Sequence, residues 1–255
     1  AGVVFTGSTE TARMINRTLA ERDGPIIPFV AETGGQNAMI VDSSALRVLF
    51  VQEDVADLMI AMIAGAMRAL TVGDPSKLET DVGPVIDDGS KTLLDEHLAW
   101  LDKNAKRISR LAGPDEAAQG SFVPPSFYEI ASLSDLNREN FGPILHVVRF
   151  AGDKLHEVVE AINATGYGLT IGLQSRIDTV RDYVEEHARV GNFYVNRNQI
   201  GAVVESQPFG GEGLSGTGPK AGGPHYVARF ATERVTCIDT TAAGGNASLM
   251  AALDG

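Results

Sequence analysis

The chain has 255 residues, 44% of them hydrophobic and 21% charged, and a formal net charge of −12. That is an ordinary globular composition, enough for one large domain or two small ones, and its acidity excludes a phosphate-binding surface built on clustered Lys and Arg. One cysteine, Cys237, excludes an internal disulfide framework and fits a reducing compartment, and the longest apolar run, "LMIAMIAGAM" at 58–67, is too short to span a bilayer.

The first residues, "AGVVFTGS", read as a strand already under way, without a methionine, so an internal fragment is expected. The strand runs into a Gly-Ser turn and then into residues 9–22, where Ala12, Met14, Ile15 and Leu19 recur at helical spacing. Ser8 or Thr9 can cap this helix, with Glu10 near its positive end. "IIPFVAETGG" and "AMIVD" supply further strands, followed by "LRVLFVQ". Helices are predicted over about 55–70, where the apolar run reads as buried, and over about 90–104. A modest basic group, Lys103, Lys106, Arg107 and Arg110, reads as the solvated end of the second helix.

Strands follow at "KRISRLA", "SFVPPSFYEI" and "ILHVVRFA", then a helix at 154–164, the strand "GLTIGLQS", a helix at 177–186 and the strand "GNFYVN". This alternation predicts an α/β fold with a largely parallel sheet covered on both faces. "GGEGLSGTGPKAGGP" is a long glycine loop, and the small, polar tail after Thr241 reads as an arm. No signal or transit segment is visible, which together with the single thiol points to the cytoplasm.

Four short motifs carry chemistry. "FTGSTE" presents Gly7 and Ser8 at a helix N-terminus, where free amides and the helix dipole favour a phosphate. Most strand-to-helix turns contain glycine and bind nothing, so this motif alone is weak, and it is not the GxGxxG fingerprint. "AETGGQN" puts Glu32 at a strand end beside two glycines; apolar surroundings would raise its pKa towards a useful base, but the motif alone favours a Glu satisfied by nearby amides. "ENFGP" offers Glu139 to sugar hydroxyls and Phe141 as an apolar wall, or simply a capped turn with a core phenylalanine. "QPFGGEGLSGT" sets Phe209 in the glycine loop, which by itself is packing.

In this order the four motifs resemble the NAD(P)-dependent aldehyde dehydrogenase superfamily, from the first residue to about Val235. "NRNQIGAVVESQPFGGEGLSGTGPKAGGPHY" is more specific: it is similar to the glutamate-semialdehyde (1-pyrroline-5-carboxylate) dehydrogenases, in particular to that domain of bifunctional proline-utilisation proteins, whose carboxyl terminus "TTAAGGNASL" resembles. The resemblance implies an aldehyde dehydrogenase-like fold divided into residues 1–45, the end of the NAD-binding domain, 46–225, the catalytic domain, and 226–255, a return segment and tail.

It also implies NAD as cofactor, with FAD only if a proline dehydrogenase domain precedes, and no metal. Thr6, Gly7 and Ser8 match the turn at the cofactor's nicotinamide side and pyrophosphate. Glu32 matches the base that activates water, Glu139 the ribose-binding glutamate, and Phe141 the residue beside the nicotinamide. Gly201 and Ala202 match the amides that hold the substrate carboxylate, and Phe209 the wall over its methylene stem. The implied partners are glutamate semialdehyde, the remainder of a longer polypeptide and further copies in a homo-oligomer, with no nucleic acid and no transmembrane segment.

One departure matters. In the family, the strand matching "AMIVDSSAL" leads through a helix to a turn with the nucleophilic cysteine before the strand matching "LRVLFVQ". Here Ala45, Leu46 and Arg47 join the two directly, and Cys237 lies too far along to substitute. Without the thiolate and the upstream oxyanion donor, this chain should not turn over. A segment missing from a larger polypeptide is favoured, since a parallel crossover needs a dozen or more residues. The alternative is a non-catalytic, structural or tunnel-sealing domain.

Overall fold

The computed structural model describes residues 2–35, 37–40, 48–114, 120–199, 203–238 and 251. In chain order, the first elements are β1 (Val3–Gly7), α1 (Thr9–Glu21), β2 (Phe29–Thr33), β3 (Ala38–Ile40), β4 (Val48–Gln52), α2 (Glu53–Met67), α3 (Asp88–Asn104) and β5 (Lys106–Arg110). After them come β6 (Ser126–Glu129), β7 (Ile144–Phe150), α4 (Leu155–Ala164), β8 (Tyr167–Gly168), β9 (Thr170–Leu173), α5 (Asp178–His187), β10 (Asn192–Val195) and β11 (Glu212–Gly213).

Local chemistry sets several of these boundaries. Ser8 caps α1, its hydroxyl accepting from the Thr11 amide at 3.2 Å, and Asp87 caps α3 by accepting from Ser90 at 2.6 Å. Helix α2 starts two residues earlier than its periodicity predicts, straight out of β4, because Glu53 and Asp54 suit a helix's positive end. It stops at Met67, where the amides of Ala69 and Leu70 turn back to Ala66 and Met67 in tighter bonds.

Seven strands form the main sheet in the order β10-β9-β3-β4-β7-β6-β5. Every neighbouring pair is parallel except β5–β6. Strands β1 and β2 make a separate parallel pair joined through α1, and β8 pairs antiparallel with β11. The expected α/β, mainly parallel architecture is present. None of the helices among the described residues is long and apolar enough to cross a membrane.

Coverage of the sheet is uneven, which departs from the expectation of two well-covered faces. Helices α3, α4 and α5 bury one face around Val48, Phe50, Ile144, Val148, Ile171 and Leu173. On the other, α2 packs Ala56, Ile60, Ala64 and Met67 against Leu49, Val51 and Val147. The apolar run in α2 is therefore only half-buried, with Leu58 and Met62 exposed to 69% and 62%. They border a groove of about 550 Å³ at the carboxyl end of the strands, shared with Leu155, Ile177 and Val180.

Strand direction suggests why this face is bare. The steps β7–β9 and β9–β10 run one way along the sheet and β3–β4 the other, so right-handed crossovers place a β3–β4 connection on the face of α2. Only seven residues, 41–47, separate β3 from β4, against a dozen or more in ordinary parallel crossovers. The join itself, Ser43 to Arg47, lies outside the described residues.

The basic group at the α3–β5 junction is tied down by acids. Arg110 and Arg107 pair with Asp102 at 3.0 and 3.4 Å, and Lys106 reaches Glu129 at 3.3 Å. Deeper in, the imidazoles of His97 and His146 meet Nε2 to Nε2 at 2.8 Å, both buried. Burial, with help from His146 and Arg138, pushes His97 down to about 4.

Two outcomes are expected from this architecture. The unfolded chain takes up the His97 proton near pH 6.5 and the folded chain only near pH 4, so stability is lost as pH falls through that window. Its full extent is on the order of 3 kcal/mol. Urea unfolding at pH 7.5 and pH 5 should show the loss in the wild type and a flatter dependence in His97→Leu. On the α2 face, Leu58→Lys with Met62→Lys should cut binding of an apolar fluorescent dye while moving Tm by no more than about 2 °C, since exposed sites change stability little.

Candidate active site

Glu32 is the penultimate residue of β2, and the β1–β2 register sets Thr6 directly opposite it and Gly7 opposite Thr33. The strand's other edge is taken by the glycine loop. Thr33 donates to Ser215 O at 3.0 Å, Thr217 to Ala31 O at 2.9 Å, and the Ala31 amide to the Thr217 hydroxyl at 2.9 Å. The Thr33 hydroxyl adds a bond to Leu214 O at 2.6 Å. Residues 214–217 thus act as a third strand beside β2.

That pairing wraps glycines around the carboxylate. The Gly211 amide donates to Glu32 Oε2 at 3.3 Å, while Oε1 is buried without a hydrogen-bond partner. A Cβ on Gly210 would stand 2.7 Å from Oε1 and one on Gly216 3.2 Å from Oε2, so side chains there would crowd the group. Burial raises the Glu32 pKa, and the Gly211 amide and the Lys220 ammonium partly oppose it. A half-buried carboxylate with one oxygen unpaired keeps a lone pair free to accept a proton.

The other sequence candidates divide into groups. Phe209, half-buried, precedes Gly210 and is fixed by two backbone bonds with Ala221 at 3.0 and 2.7 Å. Glu139 reaches the turn after β2, where Oε1 accepts from Gly35 at 3.1 Å and Oε2 would lie 1.9 Å from a Cβ on Gly34. Glu32, Phe209 and Glu139 are therefore brought to one end of β2 from three distant parts of the chain. Phe141 is 77% exposed, two residues beyond Glu139, so it is not the core residue of the simpler reading. Thr6, Gly7 and Ser8 are exposed at the start of α1, with the Ser8 hydroxyl engaged in its cap. Gly201 and Ala202 lie outside the described residues.

Two participants escaped sequence reasoning, Lys220 and Asn192. Lys220 Nζ donates to Asn192 Oδ1 at 3.3 Å, and the Gly210 amide donates to the same oxygen at 3.2 Å. One signal was available: Lys220 is the only Lys or Arg between Arg197 and Arg229. Asn192, an asparagine opening a strand, gives no such signal.

Residues 43–236 match the model of the aldehyde dehydrogenase family, more than half of the chain. The chain is 46% identical to the bifunctional protein PutA of Klebsiella aerogenes, over 91% of its own length and 20% of that protein's. Ninety-one per cent of 255 residues is about 232, so about 32 of the 264 aligned positions have no residue in this chain. A crystal structure of a Bradyrhizobium japonicum proline utilization A (PutA) variant superposes with a TM-score of 0.88 at 55% identity, over 96% of this chain and 27% of that one. A 1-pyrroline-5-carboxylate dehydrogenase from Thermus with bound NAD gives 0.79 at 27% identity, over 89% and 48%. The chain spans about a fifth of PutA and about half of the Thermus enzyme. By the family match, by homology to the 1-pyrroline-5-carboxylate dehydrogenase region of PutA and by its fold, this chain belongs to the aldehyde dehydrogenase family.

Proposed function

We propose that the chain is part of a PutA-type polypeptide that oxidises L-glutamate 5-semialdehyde to L-glutamate with NAD, the second step of proline catabolism. The observation that carries this reading is the carboxylate of Glu32, half-buried among glycines with Oε1 unpaired, at the end of a strand whose following turn is held by Glu139 and against the glycine that follows Phe209. In it, Glu32 removes a proton from the water that hydrolyses the acyl group, and the Gly211 amide fixes the other oxygen. NAD, when bound, would supply the hydride acceptor. Exposed Thr6, Gly7 and Ser8, the Glu139 carboxylate and Phe141 would hold it, and the absence of a side chain at Gly34 leaves room for Glu139 at that turn. The amides of Gly201 and Ala202 would hold the far carboxylate, with Phe209 along the methylene chain.

The chain alone carries the base without the nucleophile. About 32 positions of the relative lack a counterpart here, and β3 and β4 are parallel neighbours with seven residues between them; both favour a missing segment over an evolved structural module. The 255-residue chain with NAD and glutamate semialdehyde is therefore expected to form no NADH. In the intact parent, Glu32→Gln should give a burst of NADH equal to the enzyme and then a steady rate slowed by about 10²–10⁴. Turnover by the chain alone, or a lost burst in the variant, would contradict the assignment. Ala202→Leu in the same parent tests the substrate: kcat/KM should fall much more for glutamate semialdehyde than for an uncharged aldehyde of similar length. Equal losses would remove the carboxylate-holding role.

A further inference from the structure

We propose that Lys220 is a positioning residue for Glu32, a tethered cation that favours the charged carboxylate while leaving its proton-accepting oxygen unpaired. The inference rests on the reading of Glu32 as the base and adds what governs it. Gly210 lies between the two groups: a Cβ there would stand 2.7 Å from Glu32 Oε1 and 3.1 Å from Lys220 Cα. With no side chain in the gap, the carboxylate and the lysine's backbone face one another across a single glycine.

The ammonium is kept from closing onto the carboxylate. Asn192 Oδ1 accepts from Lys220 Nζ at 3.3 Å and from the Gly210 amide at 3.2 Å, while Asn192 Nδ2 donates to Pro208 O at 2.9 Å. Bonds at both ends of the amide fix its orientation, and Asn192 is itself buried. Among the described residues, Lys220 makes no ion pair within 4.0 Å. Its charge is felt at Glu32 all the same, and burial lowers the lysine's own pKa against the pull of Glu32 and Glu212.

This separation suits a general base. A direct ion pair would occupy Oε1 and weaken its basicity; with no cation, burial would raise the carboxyl further, against the Gly211 amide alone, and favour the protonated form that cannot accept. Among the described residues, Lys220 from the loop after β11 is the charge felt at Glu32, Glu139 lies over the Gly34–Gly35 turn, and Glu212 acts on Lys220. Lys220 is the cation among them.

The test reads ionisation rather than turnover. In the 255-residue chain labelled with ¹³Cδ-glutamate, the Glu32 resonance is identified by its loss in Glu32→Gln and followed against pH. In Lys220→Met the Glu32 midpoint should move to higher pH, and in Lys220→Arg it should return towards that of the wild type. An unchanged midpoint in a folded Lys220→Met chain overturns the proposal. Should that variant not fold, the wild type decides: the Glu32 resonance must shift again as ¹³Cε-labelled Lys220 loses its proton at alkaline pH, and a flat resonance through that step overturns it equally. A failed coupling would leave the dehydrogenase reading standing, and an inactive parent would leave the coupling measurable.

Discussion

The pairing of a glycine loop with the edge of β2 is the constraint on which the site depends. A carboxylate at a strand end is ordinarily solvated; Glu32 is half-buried because residues 214–217 are hydrogen-bonded along its strand and Gly210 and Gly211 close over it. The closure requires backbone without side chains. Gly213 adopts φ +61°, where a Cβ would also lie 2.4 Å from Gly166 O, and Gly191 leaves space that a Cβ would fill 1.9 Å from Gly210 O. The loop's glycines serve close approach of backbone to carboxylate and of loop to sheet, rather than flexibility.

The same loop fastens the β1–β2 pair to β8. Leu214 accepts from the hydroxyls of Thr9, at the start of α1, and Thr33, while its own amide donates to Gly166 beside β8. The buried Ser215 hydroxyl accepts from Gly168 at 3.1 Å. The start of α1, the end of β2 and the β8 segment that leads into β9 are thus held by one short stretch. Loss of that segment would separate Glu32 from Lys220 and Asn192 while leaving the seven-stranded core intact.

The second face of the main sheet bears a different mark. Asn37 Oδ1, Thr170 Oγ1, Tyr194 hydroxyl and Gln199 Oε1 are buried there without hydrogen-bond partners. Asn37 and Thr170 stand two residues before Met39 and Gly172 and so share their side of the sheet, Tyr194 pairs with Gly172, and Gln199 lies against both. Each such atom costs about 1–3 kcal/mol. These orphaned polar atoms lie on the face of the sheet that α2 covers only in part.

Local periodicity and capping chemistry are written into the sequence, and they placed most helices and strands to within two or three residues, although the strand expected over 121–130 is only Ser126–Glu129. Ser8 before an amphipathic stretch and alternating apolar runs act over a few residues and need no partner. The motifs around Glu32, Glu139 and Phe209 were legible as a family resemblance, and the missing cysteine turn was legible as a gap within it. Tertiary structure alone decided the rest. That α2 buries only one side depends on what lies over the neighbouring strands, which its own apolar run does not encode. Whether Glu32 is a satisfied carboxylate or an open base depends on Gly210, Gly211 and Gly216, about 180 residues away. Lys220 and Asn192 gained their roles for the same reason: charge and hydrogen bonding act through space, between residues that the chain brings together only when it folds.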